Sequence, residues 1–402
     1  MPTGGNTVKL SIHYREIICL AVLLLAAYLV RFMLFPLPGY YYDMSTFASW
    51  IPIAADRGLR PFYNIISWCD YPPFNIYIFY VFGNLAKLSG FYTMSGIYAV
   101  VKFIPTLFDL ATASLIYVFV RKRLSFKVSL TAAAVYAFNP AVIFDSAVWG
   151  QFDAVYTFFI VLSLLLAVKS KPKLSAAIFA LAVLTKPQAV ALAPLIAFLI
   201  YKKNGLKNLI FSSAVFALGI FVVILPFDWS NPATFLSHIY FGAYNEFKFT
   251  SVNAFNIWGL IGFYKPDGNL FILGWGLFGA FVVSVLYVLY KRFNASDESL
   301  IIFCAFMILL GFFMLPTRIH ERYLFPTISM LALTLPFMKK TRPLYAVLTG
   351  TLLLNQAYVL SFININLHVP SGNWVDLTGI TLNILAMAYA LILLLTKNKL
   401  KA

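Results

Sequence analysis

The chain has 402 residues, of which 61% are hydrophobic and only 11% charged, and apolar runs recur from one end to the other. A water-soluble fold could not bury so much apolar sequence, so the composition predicts a polytopic membrane protein. The net charge of +16 would suggest a nucleic-acid partner in a soluble protein. In a membrane protein the charge is interpreted by the side on which it lies, so we expect membrane lipid and no nucleic acid as partner.

Apolar segments of about 20 residues are long enough to span a bilayer as helices. On that length we expect about twelve transmembrane helices, of which the fifth and sixth are short. They cover residues 17–35, 97–120, 128–144, 154–168, 174–184, 189–201, 209–227, 270–290, 300–315, 323–338, 344–363 and 377–395. The sequence therefore predicts an all-α bundle that forms a single transmembrane domain over residues 1–402, with no separate soluble domain.

Basic residues cluster in alternate loops, which hold 20 of the 30 lysines and arginines. These clusters are Lys9 with Arg15 and residues 121–127, 169–173, 202–207, 291–292, 339–342 and 397–401. Because cytoplasmic loops carry the excess of positive charge, we expect these loops and both termini to be cytoplasmic. Ten of the fourteen carboxylates fall in the opposite loops, so the functional site is expected on the extracytoplasmic or lumenal face.

The long outer loops are expected at about residues 36–96 and 228–269. Within the first loop, residues 44–56 and 75–88 have helical apolar spacing but are too short and polar to span a membrane. We predict that they form amphipathic helices lying at the membrane interface. Pro73 suits the first turn of the second helix, where its missing N–H has no partner to lose.

Two acids of the first outer loop are candidate functional groups. Asp43 follows three tyrosines just past the first span, where it is either a solvated acid beside an aromatic belt or a general base for a substrate hydroxyl. Asp70 begins the rigid corner Asp70-Tyr71-Pro72-Pro73 and either caps the following helix or contacts a ligand.

The second predicted span contains two charged residues, Lys102 and Asp109, seven positions apart. That spacing places them on nearly the same helix face, two turns from each other. Charged residues inside a membrane are costly and are candidates for function. A mutually neutralising structural pair is the alternative that the spacing favours for Asp109.

Two further polar motifs lie between spans. Trp149, Gln151 and Asp153 offer a sugar both a stacking surface and hydrogen-bonding groups, although Asp153 could instead cap the next helix. Thr185-Lys186-Pro187-Gln188 places a single cation on the predicted outer side, against the general charge bias. Lys186 is therefore a candidate ligand for an anion.

The densest cluster of charge is residues 316–323, which include Arg318, His320, Glu321 and Arg322. If this segment is helical, Arg318 and Arg322 share a face and His320 lies close by. Such an arrangement is suited to holding a phosphate group. The positive-inside rule explains basic residues in cytoplasmic loops, but it does not explain cations on the outer face.

Taken in chain order, these motifs resemble those of the GT-C glycosyltransferases. The motifs are Tyr42-Asp43, Asp70-Tyr71-Pro72-Pro73, the run from Trp149 to Asp153, the run from Thr185 to Gln188, the run from Ser251 to Trp258, and the run from His320 to Leu324. The chain is most similar to prokaryotic proteins that resemble the second mannosyltransferase of GPI-anchor assembly. It is more distantly similar to the dolichyl-phosphate-glucose-dependent glucosyltransferases of N-glycan assembly.

The resemblance implies a GT-C bundle that performs inverting transfer of one sugar from a polyprenyl- or dolichyl-phosphate donor to a lipid-linked or membrane-proximal acceptor. Asp43 is then the catalytic base. Mannose is the sugar favoured, with glucose next, and neither a metal nor a cofactor is expected. The expected donor-phosphate ligands are Arg318, His320, Arg322, Lys186 and Lys248. The expected sugar and acceptor contacts are Asp70, Tyr71, Trp149, Gln151, Asp153, Gln188, Asn253, Asn256, Trp258 and Glu321.

Two other classes of protein remain open. A transporter or flippase for lipid-linked sugars would also have a charged, aromatic-lined cavity, but it predicts charges near the midplane and inverted repeats. The sequence shows no convincing repeat, and most polar motifs fall at one face. A scaffold subunit leaves the outer Arg318 and Arg322 without an explanation.

Overall fold

A computed structural model describes residues 14–396 of the chain, so the predicted basic residues Lys9 and 397–401 lie outside the described residues. The described part is helical, and its only β-pairing consists of isolated bridges. The sixteen α-helices of that part are α1 (Tyr14–Leu34), α2 (Tyr41–Arg57), α3 (Phe62–Ile65), α4 (Pro73–Leu88), α5 (Met94–Arg121), α6 (Phe126–Ala137), α7 (Pro140–Ile143), α8 (Asp153–Val168), α9 (Pro172–Val183), α10 (Ala193–Ile224), α11 (Pro232–Glu246), α12 (Leu270–Lys291), α13 (Glu298–Met314), α14 (Phe325–Thr334), α15 (Arg342–Ile363) and α16 (Trp374–Leu395).

Each predicted apolar segment coincides with a helix, and the all-α polytopic membrane fold is confirmed. Among the described residues, six helices are long and apolar enough to cross a bilayer, and the bent pair α6 and α7 makes a seventh candidate. The helix α10 accounts for two predicted segments, because it kinks at Gly205, whose φ is 82°. Four shorter apolar helices, α8, α9, α13 and α14, pack inside this set.

Burial separates a central layer of helices from a peripheral one. Every residue of α13 from Leu300 to Met314 is buried, as is every residue of α14. The helix α8 is buried over most of its length and packs against α5, α9 and α14. By contrast, α1 and α12 leave one side open with exposed leucine and valine side chains, as expected of helices that face lipid.

The first outer loop contains the two predicted helices, α2 and α4, which pack against each other. Pro73 is the first residue of α4, as predicted. The two helices and the loop between them share an aromatic core, in which the Phe47 ring lies 5.1 Å from that of Tyr71 and 4.8 Å from that of Phe152. This core fixes the loop against the end of the bundle.

A break in the third predicted span positions several functional candidates. Asn139 caps α7 by accepting hydrogen bonds from the Ala141 and Val142 amides, and Pro140 occupies the first position of that helix. The pair α6 and α7 is bent by 45°, and α7 continues as a π-helix to Trp149. Because π-helices and proline breaks interrupt regular hydrogen bonding, this span ends in an irregular turn at one end of the bundle.

The predicted pairing of Lys102 with Asp109 is wrong. Asp109 pairs instead with Arg31 of α1, at 3.4 Å, and accepts a hydrogen bond from the Tyr136 hydroxyl. Lys102 donates to the backbone carbonyls of Phe35 and Leu37, which follow the end of α1. Asp109 therefore binds α1, and Lys102 binds the segment that follows it. The helix spacing that suggested a pair says nothing about partners on a neighbouring helix.

We expect the Arg31–Asp109 pair to stabilise the fold mainly through mutual neutralisation. Both side chains are fully buried, so Asp109→Leu leaves the guanidinium without a counter-charge and should cost roughly 3–5 kcal/mol. The double variant Arg31→Met with Asp109→Leu replaces both charges by apolar groups and should recover most of the loss. Melting temperatures in detergent test this. A double variant no more stable than the single one would show that the pair is not the source of the effect.

Candidate active site

One cavity of about 320 Å³ gathers polar residues from seven separate segments. They come from the start of α2, the loop before α4, the turn at Trp149, residues 185–188, the helix α11, the loop 253–264, and residues 318–323. Eleven of the predicted site residues line it: Asp43, Asp70, Tyr71, Trp149, Lys186, Gln188, Asn253, Arg318, His320, Glu321 and Arg322. A concave site of this size, in which polar groups converge among aromatic side chains, is a usual setting for a small ligand.

The carboxylate of Asp43 is held by two donors. Trp149 Nε1 donates to Asp43 Oδ2 at 2.9 Å, and Gln151 Nε2 donates to the same oxygen. Gln151 thus contacts Asp43 from behind rather than lining the cavity, and its own carbonyl oxygen accepts from the Tyr71 hydroxyl at 3.4 Å. Asp43 is therefore fixed in orientation, with one oxygen bonded and its carboxylate facing the cavity.

Two glycines permit this close approach of α2 to the turn at Trp149. Gly39 has a φ of 70°, and a Cβ there would lie 2.6 Å from the Trp149 carbonyl oxygen. Gly150 has a φ of 88°, and a Cβ there would collide with the Met44 sulfur. Only glycine adopts such conformations without strain, so the two positions set the contact between Asp43 and Trp149.

Asp153 binds two cations. Lys186 Nζ lies 3.0 Å from Asp153 Oδ1, and Arg322 Nε lies 3.3 Å from Asp153 Oδ2. Arg322 also pairs with Glu321 at 2.6 Å, and its guanidinium lies over the Trp149 ring at 5.9 Å. Asp153 makes no capping bond to α8, so the capping alternative is wrong, and the residue instead holds the cations behind the cavity.

Residues 316–323 are not helical, so the condition under which Arg318 and Arg322 would share a helix face is not met. Arg318 has a φ of 65°, in the left-handed region, and α14 begins only at Phe325. The chain here runs beside the loop 249–253: the Arg318 amide donates to the Phe249 carbonyl, and the Val252 amide donates to the Ile319 carbonyl. Backbone pairing between two loops thus replaces the helix.

Arg318 and Arg322 consequently have different surroundings. Arg318 Nε pairs with Asp267 Oδ2 at 2.7 Å, and its guanidinium lies 4.8 Å from the Tyr244 ring and 4.4 Å from the Phe271 ring. Both arginines line the cavity, but each is already balanced by a carboxylate. Asp267 was not among the predicted site residues, because it lies in a Pro-Asp-Gly sequence that has the composition of an ordinary turn.

His320 is not suited to act as a cation. Burial lowers the pKa of His320 well below its ordinary value, and the positive charges of Arg322 and Lys186 lower it further. A neutral imidazole can donate one hydrogen bond to a phosphate oxygen, but it brings no charge. The expectation of charge stabilisation by His320 is therefore corrected to hydrogen bonding.

Asp70 lines the cavity and does not cap α4. The residue before that helix is Pro72, and no side chain caps it. Burial, with a smaller contribution from the charge of Asp43, raises the pKa of Asp70 to about 6. Burial also raises the pKa of Glu321, although Arg322 opposes the shift. Two of the acids at the cavity thus bind protons more readily than ordinary carboxylates.

Besides Gln151 and Asp153, which lie behind the cavity, three further predicted site residues do not line it. Asn256 caps the 3-10 helix Ile257–Leu260 and donates to the Phe313 carbonyl, while Trp258 Nε1 donates to the Leu315 carbonyl. Their side chains support the loop before residues 318–323 rather than contacting a sugar. Lys248 is exposed and lies off the cavity, so its assignment as a phosphate ligand is not supported by its position.

Within residues 14–396, no three His, Cys, Asp or Glu side chains are grouped so that they could hold a metal ion. The polar groups facing the cavity are acids, cations, amides and phenols. Tyr240, Tyr244 and Tyr264 also line the cavity, although the sequence did not indicate them. Their signal in the sequence was weak, because tyrosine is frequent throughout the chain.

Loop residues of this helical membrane protein thus converge on one polar cavity at an end of the bundle. Comparison with protein families identifies the class. The model of glycosyltransferase family 87 matches residues 68–317, more than half of the chain. The protein therefore belongs to glycosyltransferase family 87, which supports the GT-C assignment. The match begins after Asp43 and ends just before Arg318.

Comparison with curated proteins gives no match. Among solved structures, the apo crystal structure of the Archaeoglobus fulgidus oligosaccharyltransferase is similar, with a TM-score of 0.45 and 14% sequence identity. The similarity covers 94% of this chain and 56% of that one, so this chain spans little more than half the length of the archaeal protein.

The raised pKa of Asp70 predicts a pH dependence of stability. An aspartate in the unfolded chain has a pKa of about 3.9, so between about pH 4 and pH 6 the folded state holds a proton that the unfolded state has lost. The stabilising contribution of Asp70 is complete below pH 4 and lost as the pH rises through 6. The melting temperature of the wild type should therefore fall more between pH 4 and 6.5 than that of Asp70→Asn. If the melting temperatures of the two proteins changed in parallel with pH, the result would contradict the raised pKa of Asp70.

Proposed function

We propose that the protein is an inverting hexosyltransferase that uses a polyprenyl-phosphate sugar as donor and a lipid-linked or membrane-proximal hydroxyl as acceptor. The observation that carries the proposal is the convergence of Asp43 with Lys186, Arg318 and Arg322 on one cavity. Membership of the glycosyltransferase family supports the reaction class. Mannose is favoured over glucose by the resemblance of the motifs.

In this mechanism Asp43 accepts the proton of the acceptor hydroxyl as its oxygen attacks the anomeric carbon. The bond from that carbon to the phosphate oxygen breaks on the opposite face of the sugar, which inverts the configuration. Trp149 and Gln151 hold the carboxylate in place during the transfer. A phosphate leaves as an anion at neutral pH, so the step requires no general acid and, in our proposal, no metal.

Cations close to the leaving phosphate stabilise the charge that develops on it. Lys186, Arg318 and Arg322 line the cavity, and each is paired with a carboxylate: Asp153, Asp267 or Glu321. These pairs keep the charges neutralised while holding the cations at fixed positions. A donor phosphate would share these cations with the carboxylates, and proton uptake by Glu321, whose pKa is raised, would reduce the repulsion.

An apolar groove beside the cavity supports a lipid donor. It has a volume of about 550 Å³ and lies among the helix α12, the helix α13 and the start of α10. Val282, Leu286 and Phe312 supply apolar walls, while Arg318 and Tyr323 line both the groove and the cavity. A phosphate near Arg318 would have its isoprenoid chain in the groove and its sugar in the cavity.

The positions of the basic residues support an extracytoplasmic site. Arg121 pairs with Glu16 at 2.8 Å, Arg123 pairs with Glu298, and Arg292 donates to the Leu394 carbonyl. These contacts join the predicted cytoplasmic loops to one another, at helix ends that do not line the cavity. Under the positive-inside rule, this arrangement supports our proposal that the cavity lies on the other side of the membrane.

Substitution of the proposed base should remove transfer. We expect Asp43→Asn to lower turnover about 10²- to 10⁴-fold in detergent, measured with a polyprenyl-phosphate sugar, because proton transfer to the enzyme is lost. Asp56→Asn is the matched control: Asp56 lies at the other end of α2, in an exposed pair with Lys87 that contributes little.

Normal turnover by a folded Asp43→Asn protein would remove the assignment. Translocation of lipid-linked sugars in proteoliposomes without any glycosidic product would favour a flippase over the enzyme. A stable protein partner whose binding does not depend on sugar would favour a scaffold subunit.

Two glycines of α12 test the lipid groove. Gly279 lines the groove, Gly276 does not, and a Cβ at either position meets no atom within 4 Å. Gly279→Phe should fill the groove and raise the KM for a long-chain polyprenyl donor about tenfold or more, with little effect on a donor whose lipid is too short to reach it. Gly276→Phe should leave both KM values unchanged. Equal effects of the two variants would argue against a lipid in this groove.

A further inference from the structure

A second cleft, of about 520 Å³, lies beside the catalytic cavity. One wall is the segment 63–70 of the first outer loop, and the other is the segment 228–246, which contains α11. Trp68 and Asp70 line both the cleft and the cavity, so the two spaces share a wall. A ligand in the cleft therefore lies next to the group of residues that surrounds Asp43.

The chemistry of the cleft differs from that of the cavity and of the apolar groove. Its polar groups include Asn64, Asp228, His238 and Glu246, and none of the described residues that line it is a lysine or arginine. A phosphate or nucleic acid would meet carboxylates without a compensating cation. A lipid chain would bury polar groups that lose their water without gaining partners. The walls thus favour a neutral ligand rich in hydroxyl groups.

Aromatic side chains in the cleft also favour a ligand rich in hydroxyl groups. Tyr63, Trp68 and Trp229 line the cleft, and the side chain of Trp68 is 48% exposed despite its size. The Trp68 indole donates to Glu246 Oε1 at 2.9 Å, which holds the ring across the cleft. Rings with a polar edge and an apolar face suit a sugar, whose C–H face packs on the ring while its hydroxyls bond carboxylates and amides.

We infer that this cleft binds the sugar units of the acceptor that precede its reactive hydroxyl, so that the acceptor carries an oligosaccharide rather than a single sugar. The inference rests on the proposed function. The terminal sugar passes Trp68 and Asp70 to present its hydroxyl to Asp43, while the preceding units bond Asn64 and Asp228. These two side chains face each other at 3.5 Å and are both exposed, so each has bonding capacity left for a ligand.

The experiment measures binding without turnover, using the full-length protein in detergent. The probes are methyl α-mannoside and linear tetrasaccharides of α-linked mannose and of α-linked glucose, titrated by ligand-observed NMR. The variants are Asn64→Ala and Asp228→Asn. Asn269→Ala is the control, because Asn269 is exposed, makes no capping bond and lies outside the cleft. Melting temperatures verify that each protein is folded.

We expect at least one tetrasaccharide to bind more tightly than the monosaccharide. Asn64→Ala and Asp228→Asn should each weaken its binding about fivefold or more, the effect of losing one hydrogen bond. Monosaccharide binding, the donor KM and the control should not change. Variants indistinguishable from the control, or binding independent of chain length in both series, would overturn the inference. Length-dependent binding without transfer by the wild type would support the cleft and overturn the proposed reaction.

Discussion

The buried carboxylate of Asp153 is the interaction on which the site depends. It stands at the start of α8 and holds Lys186 and Arg322, which come from two distant parts of the chain. A charge this deeply buried is unfavourable unless it is compensated, so the loops that carry the cations must close on Asp153 whenever the protein is folded. Loss of the carboxylate would leave Lys186 without its partner and Arg322 with Glu321 alone, and would remove the link between the two loops.

The same carboxylate sets the position of the catalytic candidate. Arg322, held by Asp153 and Glu321, lies over one face of the Trp149 ring, and the indole N–H of that ring donates to Asp43. A continuous path of contacts thus joins the cations to the proposed base through one indole. Shape also contributes, because Gly39 and Gly150 bring the start of α2 against the Trp149 turn. The separation between the base and the cations is therefore built into rigid structure.

Interruptions of the helices deliver these groups to the bundle end. Pro140 begins a bent span, and the chain leaves helical form at Gly150, while Pro187 begins the 3-10 helix after Lys186. If the helices were continuous, Trp149, Asp153 and Lys186 would lie within apolar helices and not in turns at the cavity. Irregular backbone is tolerated in a membrane protein where it is buried in protein or lines a polar cavity, and that is the setting of these breaks.

The sequence predicted the helices and eleven of the residues that line the cavity, because local properties indicated both. Apolar run length located the spans, and helical spacing located α2 and α4. The predictions from the sequence failed where the partner or conformation of a residue depends on residues distant in the chain. Nothing near Asp109 indicated Arg31 on another helix, and nothing near Arg318 indicated Asp267. Likewise, the amide of Asn256 resembled a sugar ligand in the sequence, although it bonds backbone behind the site.

The non-helical conformation at Arg318 shows why such a failure matters for function. A helix would have stacked Arg318 on Arg322 and directed both at one point. The left-handed backbone at Arg318 instead places its guanidinium against Tyr244, Phe271 and Asp267, at the border between the polar cavity and the apolar groove. A polyprenyl phosphate changes from apolar chain to charged group within one bond. Under the proposed function, the two arginines therefore have different roles. Arg318 binds the phosphate where the lipid ends, and Arg322 lies deeper, beside the indole that orients the base.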